Sequence, residues 1–314
     1  MESPLDIHWL ESGLGEVPSL DFFGSGVQSP NRLYTLLWQD SDPSRRVGGF
    51  RTAGEGSYRL LQGRKLLSHG HMPRPNDGKV ADTGIFIFND WGFGSGLHGT
   101  FRAFTAEGEE FFHRTFRSNL YNNGLALDGS LAVSQLCYGP NQSGGTLMVF
   151  DLREQRLIAQ WVPDTGWAER YTFEPALGQI GLVYPNGTTV TYTLKGQCLD
   201  RGAWEQAQVA SGSGFMVLDL AQRKLLALPT PAPPEVTAEI HALLDSAWDR
   251  LAEYPAFRAK VERFRGELAE ACGDPAIAIA AYQRALQLDP QVGVKRRLVS
   301  LLKRESPRDG FRGS

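Results

Sequence analysis

The first 228 residues of this chain are dense in glycine and in turn dipeptides that punctuate short strands: Asp77-Gly78, Glu107-Gly108, Asn123-Gly124, Asp128-Gly129, Asn186-Gly187 and Lys195-Gly196. The runs between them are rich in β-branched and aromatic residues, which suit strands. The plainest case is Gln179 to Tyr184, then Pro185-Asn186-Gly187, then Thr188 to Leu194. Asn-Gly takes the positive φ angles of a tight turn, so this stretch reads as a hairpin.

Laying the apolar runs over one another exposes an internal repeat. Met148-Val149-Phe150-Asp151-Leu152 followed by Leu157-Ile158-Ala159 has the same form as Met216-Val217-Leu218-Asp219-Leu220 followed by Leu225-Leu226-Ala227. Phe101 to Thr105 with Phe111-Phe112 fits the same frame, as do Tyr58 to Leu67 and Val190 to Leu199. Equivalent positions fall near Leu60, Phe104, Phe150, Tyr192 and Leu218, at spacings of 44, 46, 42 and 26 residues. Periods in the low forties match four-stranded propeller blades. The pattern resembles the outer half of a blade in WD-repeat-like and related β-propellers, although the Gly-His and Trp-Asp signatures of true WD repeats are missing. The resemblance implies a propeller over residues 1–228 with five blades as the best count and six as the alternative. The short last interval assigns the missing strand to Ile7-His8-Trp9-Leu10, closing the ring.

After Leu228 comes Pro229-Thr230-Pro231-Ala232-Pro233-Pro234, which reads as an extended spacer and as the domain boundary. Beyond it the apolar period changes to 3.6: Val236, Ile240, Leu243, Leu244, Ala247, Leu251 and Tyr254 share one helix face. Further helices are expected over 256–272, 275–288 and 292–304, with Asp274 as N-cap and Pro275 as first helical residue. Ala278, Tyr282, Ala285 and Pro290, with Gly266 in the preceding helix, stand at the intervals of a tetratricopeptide repeat. This part of the chain resembles that family, with Glu262 and Arg265 where its Trp and Leu usually stand. The resemblance implies a protein-binding helical domain over 235–305. A flexible basic tail is expected over 306–314.

Composition narrows the function. A formal net charge of −3 gives no overall attraction to nucleic acid, and the Lys295-Arg296-Arg297 and Lys303-Arg304 cluster reads as a helix end that complements its dipole. Cys137, Cys198 and Cys272 lack the paired spacing of a disulfide framework or a thiolate zinc site. No stretch is apolar enough to span a membrane, so the expectation is a cytoplasmic protein without membrane attachment.

Polar and aromatic residues concentrate between His69 and His98. His69 and His71 project to one side of an extended segment and are the candidate metal ligands, but they lack a diagnostic third ligand, so no metal or other cofactor is expected. The Gly92 to Gly99 stretch lacks the Lys-Ser/Thr ending of a phosphate loop and reads instead as a connection displaying Trp91, Phe93 and His98. These residues and Tyr282 are the candidate partner-binding positions. Trp91 and Phe93 read equally well as core. The reading is a non-enzymatic protein-interaction scaffold with no catalytic residue, an unidentified protein partner and scope for self-association. The alternative is a propeller hydrolase acting on a sugar or lactone through carboxylates such as Asp40, Asp90 and Glu174, with the helices as an oligomerisation module.

Overall fold

The structure, a computed structural model, describes residues 4–41, 48–49, 51–94, 96–140 and 144–305. The chain divides into two compact units between Arg201 and Gly202.

The first unit contains four antiparallel sheets among the described residues, each with its strands in chain order. The first holds β1 (His8–Trp9), β2 (Leu14–Val17), β3 (Phe22–Gln28), β4 (Tyr34–Gln39), β5 (Gly56–Gln62) and β6 (Lys65–Met72). The second holds β7 (Pro75–Val80), β8 (Phe86–Asp90), β9 (Gly99–Phe104) and β10 (Glu110–Phe116), and the third β11 (Leu120–Leu125), β12 (Leu131–Leu136), β13 (Leu147–Asp151) and β14 (Arg156–Trp161). The fourth has β15 (Arg170–Glu174), β16 (Gln179–Val183) and β17 (Thr189–Thr193). Strand β7 packs against β3 and β4, β11 against β7 and β8, and β15 against β11. The sheets therefore follow one another like propeller blades, with β7, β11 and β15 in adjacent positions.

Alternation along β8 shows why its residues are apolar on both faces. Phe86 and Phe88 enter the core shared with Leu36, Tyr58 and Leu60 of the first sheet, whereas Ile87 enters the core shared with Ala132, Leu136, Met148 and Phe150 of the third. Stacked rings mark both cores: Phe86 on Phe104 at 4.9 Å and Phe101 on Phe150 at 4.7 Å between centroids.

The repeat positions Leu60, Phe104, Phe150 and Tyr192 fall on β5, β9, β13 and β17. The first three lie in outer hairpins that each carry a register shift. The expected hairpin around Pro185-Asn186-Gly187 forms between β16 and β17.

The fifth copy does not form. Residues 201–226 are helices α1 (Arg201–Ala210) and α2 (Gly214–Leu226), not strands. The Ser213 hydroxyl caps α2 by accepting from the Met216 backbone N–H, and Val217, Leu218, Leu220 and Ala221 form a buried helical face. Ala221-Gln222-Arg223-Lys224 consists of good helix formers and lacks a turn residue. The described residues thus hold four sheets where five blades were expected.

Ring closure by the N-terminal segment is also corrected, because β1 pairs with β2, placing His8 opposite Glu16 and Trp9 opposite Gly15. The Trp9 ring occupies the space a side chain at Gly26 would need, which fastens the segment to its own sheet.

In the second unit α2 packs on α3 (Pro234–Arg250), α4 (Pro255–Ala271) on α5 (Pro275–Leu288), and α6 (Lys295–Glu305) on α5. The Pro229 to Pro234 run joins α2 to α3 inside the helical unit and does not separate the two units. Asp274 caps α5, accepting from the Ile277 N–H at 3.2 Å, and Pro275 begins it. Residues 306–314 lie outside the described residues.

Candidate functional site: an aromatic cleft on the sheet unit

Strand β8 ends at Asp90, whose carboxylate is buried where the chain leaves the sheet. Its Oδ1 accepts backbone N–H groups of Arg74 and Gly92, both at 3.0 Å, and its Oδ2 accepts from Arg102 Nε at 3.0 Å. Two backbone bonds, Trp91 N–H to Arg74 C=O and Gly94 N–H to Arg51 C=O, tie the following loop to neighbouring segments. His98 folds over Gly92 and its Nδ1 lies 3.0 Å from the Gly96 carbonyl oxygen. The glycine-rich stretch is thereby pinned at both ends.

A second carboxylate orders the cations beside this loop. Asp40 pairs with Arg51 at 3.0 Å and receives two bonds from Arg74, at 3.2 and 3.1 Å. The Arg74 guanidinium lies over the Trp91 ring at 5.5 Å and that of Arg51 over Phe93 at 5.9 Å. One carboxylate therefore fixes two arginines, each of which supports an aromatic ring from behind.

The result is a cleft of about 530 Å³ lined by Arg74, Trp91, Leu97, Leu120, Tyr121 and Cys137, among others. Trp91, Leu97 and Tyr121 are 38%, 48% and 49% exposed. Tyr121 meets Trp167 edge to face at 4.9 Å, and Trp167 in turn contacts Tyr138, which is 73% exposed. An aromatic surface thus runs from the loop after β8 across the start of β11. Trp91 is an exposed residue and Phe93 a half-buried one, so neither belongs to the core.

The other candidates lie elsewhere. His69 and His71 sit exposed on the outer strand β6, His71 Nδ1 is 4.0 Å from Glu55, and no cluster of three His, Cys, Asp or Glu side chains forms among the described residues. Tyr282 is fully buried between α4 and α5, so its ring packs the helical core and is not itself a surface for a partner. Of the carboxylates weighed for hydrolysis, Asp40 and Asp90 are held by arginines, and Glu174 ends β15 in an exposed position. Burial pushes the Cys137 thiol up, which keeps it protonated and a poor nucleophile.

Sequence reasoning found Trp91, Phe93 and His98 through their crowding in one glycine-rich loop. It passed over Leu97 in that same loop and Arg74 shortly before it, and it missed Arg51, Tyr121, Tyr138 and Trp167, which come from separate segments and share no local motif.

No family model matches this chain, and no curated protein matches it. Among solved structures it is similar to the C-terminal WD40 domain of Sif2, at 12% identity and a TM-score of 0.37, over 60% of this chain and 54% of that one. The matched region spans about half the length of that structure. The blade-like architecture rests on the sheet order and packing given above. No helix among the described residues is long and apolar enough to cross a membrane.

Proposed function

We propose that this chain is a non-enzymatic protein-interaction scaffold whose principal recognition surface is the aromatic cleft. The observation that carries the reading is the exposure of Trp91, Leu97 and Tyr121 around one concave site, braced by the Asp40–Arg74 pair. Large aromatics held rigidly in a cleft bind a partner at low entropic cost and dominate interface energies once buried.

The helical unit is read as a tetratricopeptide-like module offering a second surface. Gly266 against Tyr282, with Ala278 and Ala285 buried beside it, supports that reading. At the positions where the family carries Trp and Leu, Glu262 is buried and paired with Arg265 and Arg284 at 2.5 and 2.6 Å, and Arg265 continues to Asp245 at 2.5 Å. A charged network thus occupies the place of an apolar contact.

Affinity capture with the full-length chain as bait, compared with a Trp91→Ala/Tyr121→Ala double variant by quantitative mass spectrometry, tests the proposal. Specific partners should be depleted in the variant. Identical captured sets would overturn the assignment of the cleft.

A further inference from the structure

Three buried side chains between the second and third sheets carry polar atoms that bond to no other described residue, beside the apolar core those sheets share. Asn89, Asn123 and Ser134 are 0%, 3% and 0% exposed. Asn89 Nδ2 and Oδ1, Asn123 Oδ1 and Ser134 Oγ are all fully buried and have no hydrogen-bond partner among the described residues.

Strand register places these atoms on facing surfaces. Asn89 follows Ile87 by two residues on β8 and stands opposite Phe101 of β9, and both of those residues belong to the core shared with the third sheet. On the other side, Ser134 lies between Ala132 and Leu136 on the face of β12 that enters the same core. Asn123 is directly opposite Ser134 across the β11–β12 ladder, so the two share that face. The Asn123 amide is oriented by its bond to the backbone oxygen of Asp77 at 2.7 Å, and its own N–H donates to Asp77 Oδ2 at 2.7 Å. This fixes Oδ1 as its remaining acceptor.

We infer that Asn89, Asn123 and Ser134 form an internal hydration site, binding at least one ordered water molecule that joins the second sheet to the third. The donor and acceptor set selects this ligand. Asn89 offers two N–H donors and one carbonyl acceptor, Asn123 an acceptor, and Ser134 a hydroxyl that serves as either. A cation would face the Asn89 N–H groups and an anion would face two carbonyl oxygens, whereas water donates and accepts in turn. Buried water typically makes two to four bonds, roughly what these atoms supply. The inference is independent of the interaction role proposed for the aromatic cleft.

A crystal structure of the full chain at a resolution that shows ordered solvent tests the site directly. Water within hydrogen-bonding distance of Asn89 and of Asn123 or Ser134 is the expected result. Direct bonding of the Asn89 amide to Ser134 Oγ or Asn123 Oδ1, with no water between, would overturn it. Magnetic relaxation dispersion of water, which counts long-lived internal molecules, gives a second reading in solution. Its amplitude should fall in folded Ser134→Val, where two methyl groups stand in place of the hydroxyl and fill the space beside it. An unchanged amplitude in that variant would also overturn the assignment.

Discussion

Gly266 of α4 lies directly against the Tyr282 ring of α5, and a Cβ at position 266 would overlap the ring. Tyr282 is buried on one side by this contact and anchored at its tip, where the hydroxyl donates to Glu270 and stands 3.4 Å from Arg297 of α6. The absence of one side chain thus sets how closely three helices approach.

Gly266→Ala separates the two effects of that glycine. Alanine restores about 1 kcal/mol of helix propensity, but overpacking costs roughly 1–3 kcal/mol. The expected outcome is a net loss of up to about 2 kcal/mol in denaturant unfolding followed by circular dichroism. A more stable variant would show that the Tyr282 ring moves aside without penalty.

Asp90→Ala removes the acceptor of two backbone N–H groups and the partner of the Arg102 Nε. Because Arg102 keeps its bond to Glu110, the loss should be about 2–4 kcal/mol and not larger. Faster hydrogen exchange at the Gly92 amide should accompany it. Unaltered exchange there would mean that Asp90 does not hold the loop.

Trp91→Ala with Tyr121→Ala should change folding stability by no more than about 1 kcal/mol, as expected for partly exposed side chains away from a core. Partner affinity should fall by about 30-fold for each anchor worth 2 kcal/mol. Thermal melting and affinity measured on the same preparation distinguish a binding surface from a packing defect. A loss of several kcal/mol in stability would return both residues to a structural role.

Alkaline pH should destabilise both units. Burial, the largest cause in each case, raises the hydroxyl pKa of Tyr171, Tyr184, Tyr192 and Tyr282 above the ordinary value of 10.0. Nearby carboxylates add to this: Asp77 at Tyr171, Asp164 at Tyr184 and Tyr192, and Glu270 at Tyr282. Since the folded values are raised, the unfolded chain releases these protons first. The stabilisation is full below about pH 10 and is lost as pH rises from there toward the folded values. Urea midpoints should therefore stay level from about pH 8 to about pH 10 and fall above about pH 10. Native tyrosines that all titrate near 10 by ultraviolet absorbance would refute this.

Much of the architecture was legible in short-range patterns. The spacing of Leu60, Phe104, Phe150 and Tyr192 marked the corresponding strands, and Asp274-Pro275 marked the start of α5, because turns and caps are satisfied by residues close in sequence. The helices after Pro234 were legible for the same reason, since an apolar face at 3.6-residue intervals is a local property. Val217 to Leu225 was misread because a short apolar run fits either period when no glycine or proline forces the choice.

By itself, the sequence determined the strand-rich first part, the helices after Pro234 and the loop that carries Trp91 and Phe93. Only the tertiary structure decided that α2 joins the helical unit, that β1 stays in its own sheet, and that Tyr282 is core. It alone also brought Arg74, Trp91 and Tyr121 to one cleft, with Asp40 bonded to Arg74. Periodicity, turns and caps depend on neighbours along the chain, whereas burial and ion pairing depend on which distant surfaces meet when the sheets and helices pack.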